Sequence, residues 1–271
     1  MFGAPHRSCP ESFHWNATDY AANSSAQFQW GSELIASLGL EEHEAVLDMG
    51  CGDGKLTALI AWQVQAGVVT GIDASDEMVF LAQQTWGHIK NLDFSPMDAQ
   101  NLTFHGGFDV VYSNAVLHWV ADHPAVLAGV WRALKPGGRM LLQMPAKRNC
   151  EQFIEAVDSV RSAPRWRPFF RTFSFPWQFS TEHDYAHWLS DAGLKTQTIT
   201  TVSKDMCHKS PRQLAGWMRT TWLPYLQCVP DAERDHFVNA VVDKYLCAVP
   251  PDEQGRTHVD VVRLEVAAIK S

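Results

Sequence analysis

The stretch Val46–Lys55, VLDMGCGDGK, constrains the fold more than any other part of the chain. An apolar run ends at Asp48 and meets Gly50, Gly52 and Gly54 before a helix-like stretch, so the backbone must turn tightly and admit a ligand at close range. Dinucleotide sites space their glycines as GxGxxG, whereas these read GxGxG with Asp48 two residues before the first. A Walker loop needs Ser or Thr after the lysine, and Lys55-Leu56 fails that test. The spacing points away from pyrophosphate and from ATP.

The same strand-turn-helix rhythm continues on either side. Candidate strands are Ala45–Met49, Val68–Asp73, Leu92–Met97, Phe108–Ser113 and Arg139–Met144, and Lys55–Val64, Asp76–Thr85 and Pro124–Leu134 carry apolar residues at helical spacing. Such alternation predicts an α/β fold, a doubly wound, mostly parallel sheet with helices on both faces. Pro136-Gly137-Gly138 reads as a stop and a turn into the fifth strand. After Pro145 the rhythm changes. Glu151–Ser162 reads as a helix, and in Pro164–Phe179 seven of sixteen residues are aromatic and three are prolines, which excludes a regular helix or a central strand. The sheet pattern resumes with a helix at Glu182–Ala192, a strand at Lys195–Val202 and a last strand at His258–Ile269. Two helices are expected between those strands, at Pro211–Thr221 and Asp231–Leu246. With no linker or repeat, a single domain over 1–271 is expected. Its sheet core covers about 45–144, 180–203 and 256–271, and a cap covers about 1–40, 145–179 and 210–254.

Composition narrows the partners. The chain carries 30 acidic and 22 basic residues, a formal charge of −8 at pH 7, which disfavours nucleic-acid binding by phosphate neutralisation. No apolar run approaches the roughly 18 residues of a spanning helix, and the opening MFGAPHRSCPES lacks the apolar core of a signal peptide, so a cytoplasmic chain with no membrane partner is expected. The six cysteines show no CxxC or Cys/His spacing; reduced thiols and no metal site are expected. Eleven tryptophans are present, and only Trp62, Trp86, Trp119 and Trp131 fall within Ala45–Met144.

The glycine loop resembles motif I of the class I S-adenosylmethionine-dependent methyltransferases, and further motifs follow in order along Val46–Met144. TGIDAS carries Asp73 about twenty residues past the glycines, SPMDAQ carries Asp98, and SNAVLHWV and LKPGGRMLLQ match the segments after the fourth strand and the penultimate helix. The resemblance implies a seven-stranded Rossmann-like sheet with the last strand antiparallel, helical cap insertions, S-adenosyl-L-methionine as cofactor and S-adenosyl-L-homocysteine as product. It also implies that Asp73 holds both ribose hydroxyls, a task for which a carboxylate's paired oxygens are suited. Met78 would lie against adenine, with Asp98 and Ala99 at its amino edge. Asp48, Gly50, Cys51, Gly52, Ala74 and Asn114 complete the cofactor set, and Trp15 and Tyr20 would close over the methionine end.

FHWNATDYAANSSAQFQWGSELI, SNAVLHWVADHPAVL and LLQMP are similar to the trans-aconitate and juvenile hormone acid methyltransferase group, which methylates carboxylic acids. That likeness assigns Gln27 and Trp119 as donors to the acceptor carboxylate, with His118 as a third polar wall or a general base for a hydroxyl or phenol. The acceptor is then a small organic acid, taken up by a monomer or homodimer. Rival readings are a hydroxyl or carbon methyltransferase, one acting on an acyl-carrier-protein thioester, or a silent cofactor-binding protein. Six basic residues (Lys147, Arg148, Arg161, Arg165, Arg167, Arg171) face three acidic ones (Glu151, Glu155, Asp158) in the segment after the fifth strand; they form either a cationic lid or a solvated helix face.

Overall fold

The computed structural model describes residues 25–271, with side chains from Phe28 onward. Seven strands form one sheet: β1 (Ala45–Met49), β2 (Val68–Asp73), β3 (Leu92–Pro96), β4 (Phe108–Asn114), β5 (Leu134–Pro145), β6 (Leu194–His208) and β7 (Thr257–Lys270). Their order is β3-β2-β1-β4-β5-β7-β6. The pairings of β1 with β2 and β4, of β2 with β3 and of β4 with β5 are parallel, and β7 runs antiparallel to β5. The helices among the described residues are α1 (Ser25–Ser37), α2 (Lys55–Gln63), α3 (Asp76–Trp86), α4 (His123–Ala133), α5 (Glu151–Arg161), α6 (Glu182–Asp191), α7 (Pro211–Thr221), α8 (Leu223–Leu226) and α9 (Asp231–Ala248).

Chain packing separates the described residues into two compact units. One holds the sheet framework, 25–149 with Trp177–Ser203 and Val262–Ser271; the other holds Cys150–Pro176 and Lys204–Val261. In the sheet unit every residue of β1 is buried, as a central parallel strand covered on both faces requires. Alternation along the strand sends Leu47 and Met49 to one face with Val111, Leu142 and Met144, and Val46 to the other with Val110, Tyr112 and Ile60. Helix starts follow the expected chemistry: Ser75 caps α3, and Thr181 and Asp184 form a capping box on α6.

Two strands differ most from their sequence reading: β6 runs on to His208 rather than ending at Val202, and β5 starts earlier than Arg139. The Pro-Gly-Gly turn does not interrupt β5, which runs from Leu134; the register jumps instead, with Phe108 opposite Leu134 and Val110 opposite Arg139. The extra residues are absorbed as a bulge, for which the positive φ of Gly137 is suited.

The other unit is built from aromatic packing. The Phe153 ring lies 5.2 Å from Trp217, 4.9 Å from Trp222 and 5.0 Å from Tyr245, and Phe237 lies 5.2 Å from Trp166 and 5.3 Å from Phe170. Centroid separations of this size are those of favourable aromatic pairs. Of the basic residues after β5, Arg161 pairs with Asp158, and Arg165 donates to Glu233 at 2.7 Å; these two charges have acidic partners within their own unit. Cys51, Cys150, Cys207 and Cys247 are free thiols, but Cys228 is disulfide-bonded. That corrects the expectation of reduced thiols throughout, which local cysteine spacing could not test.

Candidate active site

The strand order reverses between β1 and β4, and in open α/β sheets such a switch point opens a crevice beyond the carboxyl ends of the strands. The glycine loop lies there. Gly50 N–H and Cys51 N–H both donate to the Ile72 carbonyl, at 2.7 and 2.9 Å, which ties the loop to the end of β2. Gly50 has φ +77°, and a Cβ on it would collide with the Val116 side chain. Gly52, also at positive φ, has open space where a Cβ would point. A side chain is therefore excluded beneath the loop, and room is left above it.

Two carboxyls flank this opening, Asp48 buried and Asp73 half-buried. Asp48, 2% exposed, accepts a 2.7 Å hydrogen bond from Thr57 Oγ1 of α2, and burial with the nearby Asp73 pushes its carboxyl up to about 7. Asp73 ends β2. Its Oδ2 accepts from Gly52 N–H at 3.0 Å and its Oδ1 from Ser75 N–H at 2.9 Å, while burial raises its affinity for a proton. Each oxygen keeps a lone pair for a further donor. Burial and the two aspartates also push the Cys51 thiol well up, so it is not a thiolate. Acidic groups this close destabilise one another, and a cation beside them relieves the repulsion. Two carboxylates, one with spare acceptor capacity for a vicinal diol, and a glycine cradle fit the cofactor implied by the sequence resemblance.

Of the other residues expected to contact that cofactor, Met78 is buried at the start of α3, and Ala74 is exposed beside Asp73. Asp98 is half-buried, caps the 3₁₀ turn Ala99–Asn101 through Gln100 N–H at 2.9 Å, and accepts side-chain amides from Gln100 and Asn101; Ala99 is buried beside it. β2 and β3 bring this turn next to Asp73, whose carbonyl accepts from Met97 N–H at 2.9 Å. Trp15 and Tyr20 lie outside the described residues. Gln27 falls on α1, but its side chain lies outside the described set.

The ends of β4, β5 and β7 form the other side. Leu117–Trp119 is a 3₁₀ turn just past β4. His118 is buried with Nδ1 lacking a hydrogen-bond partner; burial, then the charge of Arg263, holds its pKa well below the ordinary value, so the ring is neutral. Its carbonyl accepts from Gln178 N–H at 2.7 Å. The half-buried Trp119 ring lies 5.3 Å from His118 and meets Trp177 edge-on at 5.7 Å. Asn114 ends β4. The sequence reading missed Arg263 and Gln143. Both are buried, and Arg263 donates to Gln143 Oε1 at 3.3 Å and to Asn114 Oδ1 at 3.4 Å. A signal was available: Arg263 stands on the same strand parity as Val259 and Val261, both buried, where a charge is out of pattern. Among the described residues, no group of three or more His, Cys, Asp or Glu side chains could hold a metal ion, and no helix is long and apolar enough to cross a membrane.

Comparison with known proteins agrees with this geometry. A family described as a methyltransferase domain matches residues 23–199. The chain is 30% identical over 248 residues to a trans-aconitate 2-methyltransferase of Deinococcus radiodurans, covering 87% of this chain and 92% of the relative. It is 28% identical over 262 residues to one of Agrobacterium fabrum, covering 94% and 99%. Among solved structures, the YcgJ protein of Bacillus subtilis superposes with a TM-score of 0.64 at 19% identity, over 90% of this chain and 98% of that one, a likeness of fold alone.

Proposed function

The chain belongs to the class I S-adenosylmethionine-dependent methyltransferases, and on that premise we propose that its acceptor is a carboxylate oxygen of a small organic acid. S-adenosylmethionine is its cofactor; when bound, it supplies a methyl group activated on a sulfonium. The observation that carries the acceptor reading is the near full-length match to trans-aconitate 2-methyltransferases, which takes in both the cofactor loop and the segment around Trp119. The state of His118 supports it. A general base works best with a pKa near the operating pH, and this imidazole is held well below that, which serves a phenol or alcohol poorly. A carboxylate is already ionised at neutral pH and needs only to be aligned.

In this reading Asp73 accepts from the ribose hydroxyls, Met78, Asp98 and Ala99 line the adenine end, and Ala74 backs the ribose. Asp48, Gly50, Cys51, Gly52 and Asn114 hold the methionine end, over which Trp15 and Tyr20 close. Gln27 and Trp119 donate hydrogen bonds to the acceptor oxygens, and His118 forms a neutral polar wall. The reaction is direct displacement: the acceptor oxygen forms the new bond to the methyl carbon as the sulfur–carbon bond breaks, leaving S-adenosylhomocysteine and a methyl ester. The test is incubation with cofactor labelled in its methyl group and a panel of di- and tricarboxylic acids, fatty acids and phenols, with products identified by mass spectrometry. Base-labile esters are expected. Methylated phenols without any ester would overturn the carboxylate reading and leave His118 as the leading base.

A further inference from the structure

Thr57 is wholly buried in the first turn of α2, directly after the glycine loop. A threonine inside a helix satisfies its hydroxyl most simply on a carbonyl three or four residues back. Thr57 instead sends its hydroxyl out of the helix to Asp48 Oδ2, at 2.7 Å. Asp48 is the penultimate residue of β1, so one short bond joins strand to helix across the base of the loop. A carboxyl swings about its last torsion unless a donor fixes one of its oxygens, and Thr57 supplies that donor.

The bond also bears on charge. A donor to a carboxylate favours the ionised form, which burial and a neighbouring carboxyl oppose. Asp48 is faced by Asp73 from β2, by Cys51 in the loop and by Tyr112 from β4, while Lys55 of α2 pairs with Asp53 at 3.0 Å. Burial pushes the thiol and the phenol up and they keep their protons, so Asp48 and Asp73 are the groups whose ionisation a bound cation can change. We propose that Thr57 is a positioning residue of the cofactor site, holding Asp48 by one oxygen so that its carboxyl meets the positively charged methionine end of the cofactor. The inference rests on the reading above that places the methionine end at Asp48.

The test is calorimetric titration of the full chain with S-adenosylhomocysteine, which carries the methionine end, and with adenosine, which lacks it. Thr57→Val keeps the shape and removes the hydroxyl. It should bind S-adenosylhomocysteine about tenfold more weakly and adenosine as the unchanged chain does. Thr57→Ser keeps the hydroxyl and should stay within about threefold for both ligands. In the unchanged chain S-adenosylhomocysteine affinity should fall below about pH 7, where Asp48 takes up a proton, by more than adenosine affinity does. In Thr57→Val that limb should move to higher pH, a shift that a merely space-filling threonine would not produce.

Should Thr57→Val not fold, Thr57→Ala carries the comparison. Equal weakening of the two ligands in Thr57→Val, weakening of neither, or a loss in Thr57→Ser as large as that in Thr57→Val would each overturn the assignment. So would an unchanged chain whose two ligands share one pH dependence, with no variant needed. Asp48→Asn separates the inference from the reading beneath it. If Asp48→Asn weakens S-adenosylhomocysteine alone while Thr57→Val leaves it untouched, the methionine end stays at Asp48 and Thr57 is not its positioning residue. If Asp48→Asn treats both ligands alike, the placement fails and the inference with it.

Discussion

The two sides of the crevice are assembled from different materials. Along the ends of β1, β2 and β3 the contacts are local and largely main-chain: Asp73 is gripped by Gly52 and Ser75, Asp98 by Gln100, and the glycine loop by the Ile72 carbonyl. Along β4, β5 and β7 they run from side chain to side chain between residues far apart in sequence, Arg263 to Asn114 across 149 positions and Gln143 to Glu265 across 122. A cofactor shared by a whole family can be held by backbone shape, which changes little with side-chain identity. An acceptor that differs between relatives calls for side chains that can be exchanged without disturbing that shape.

Substitutions can break this division. The largest effect is expected at Asp73→Ala, which on the proposed reading would remove the acceptor of two ribose hydroxyls: S-adenosylhomocysteine affinity should fall about 100-fold by calorimetry. Trp119→Phe keeps the ring but deletes the indole N–H. It should lower turnover about tenfold with cofactor affinity within about twofold, and Gln27→Ala should behave alike. Equal loss of cofactor affinity in all three variants would erase the distinction between the two sides.

Asp48→Asn probes the cofactor side more gently, since an amide oxygen can still accept from Thr57. The folded pKa of Asp48, about 7, lies above the ordinary carboxylate value, so its contribution to stability is present at low pH and is lost as pH rises from about 4 to about 7. The asparagine variant does not titrate. In the absence of cofactor it should melt on the order of 5 °C above the parent at pH 8, with the gap narrowing toward pH 5. The smallest expected effect is a null one: with His118 neutral throughout, the pH profile of kcat in the Asp48→Asn variant, which removes the carboxyl titrating near 7, should show no limb near 6.5, whereas a clear limb there would restore the histidine as a base.

The same division sets what the sequence discloses. Val68–Asp73 is a strand with the bounds read from its residues, and the helix expected at Asp76–Thr85 ends one residue later. Both are bounded by signals within a few positions, an acidic strand end and a Ser cap, as are the glycines whose conformations the loop requires. The Pro-Gly-Gly turn misled because a bulge and a chain reversal share the same residues, and only pairing with β4 tells them apart. Arg263 and Gln143 stayed out of view because their meaning is tertiary: no local rule joins positions 120 apart.

Cys51, buried in the glycine loop and kept protonated, also gives the molecule a chemical asymmetry. Cys207 and Cys247 are exposed and both belong to the unit that does not contain the loop. Thiol-directed dyes or spin labels should therefore attach to that unit first and leave the cofactor cradle unmodified, so the chain carries its own handles for distance spectroscopy without cysteine removal.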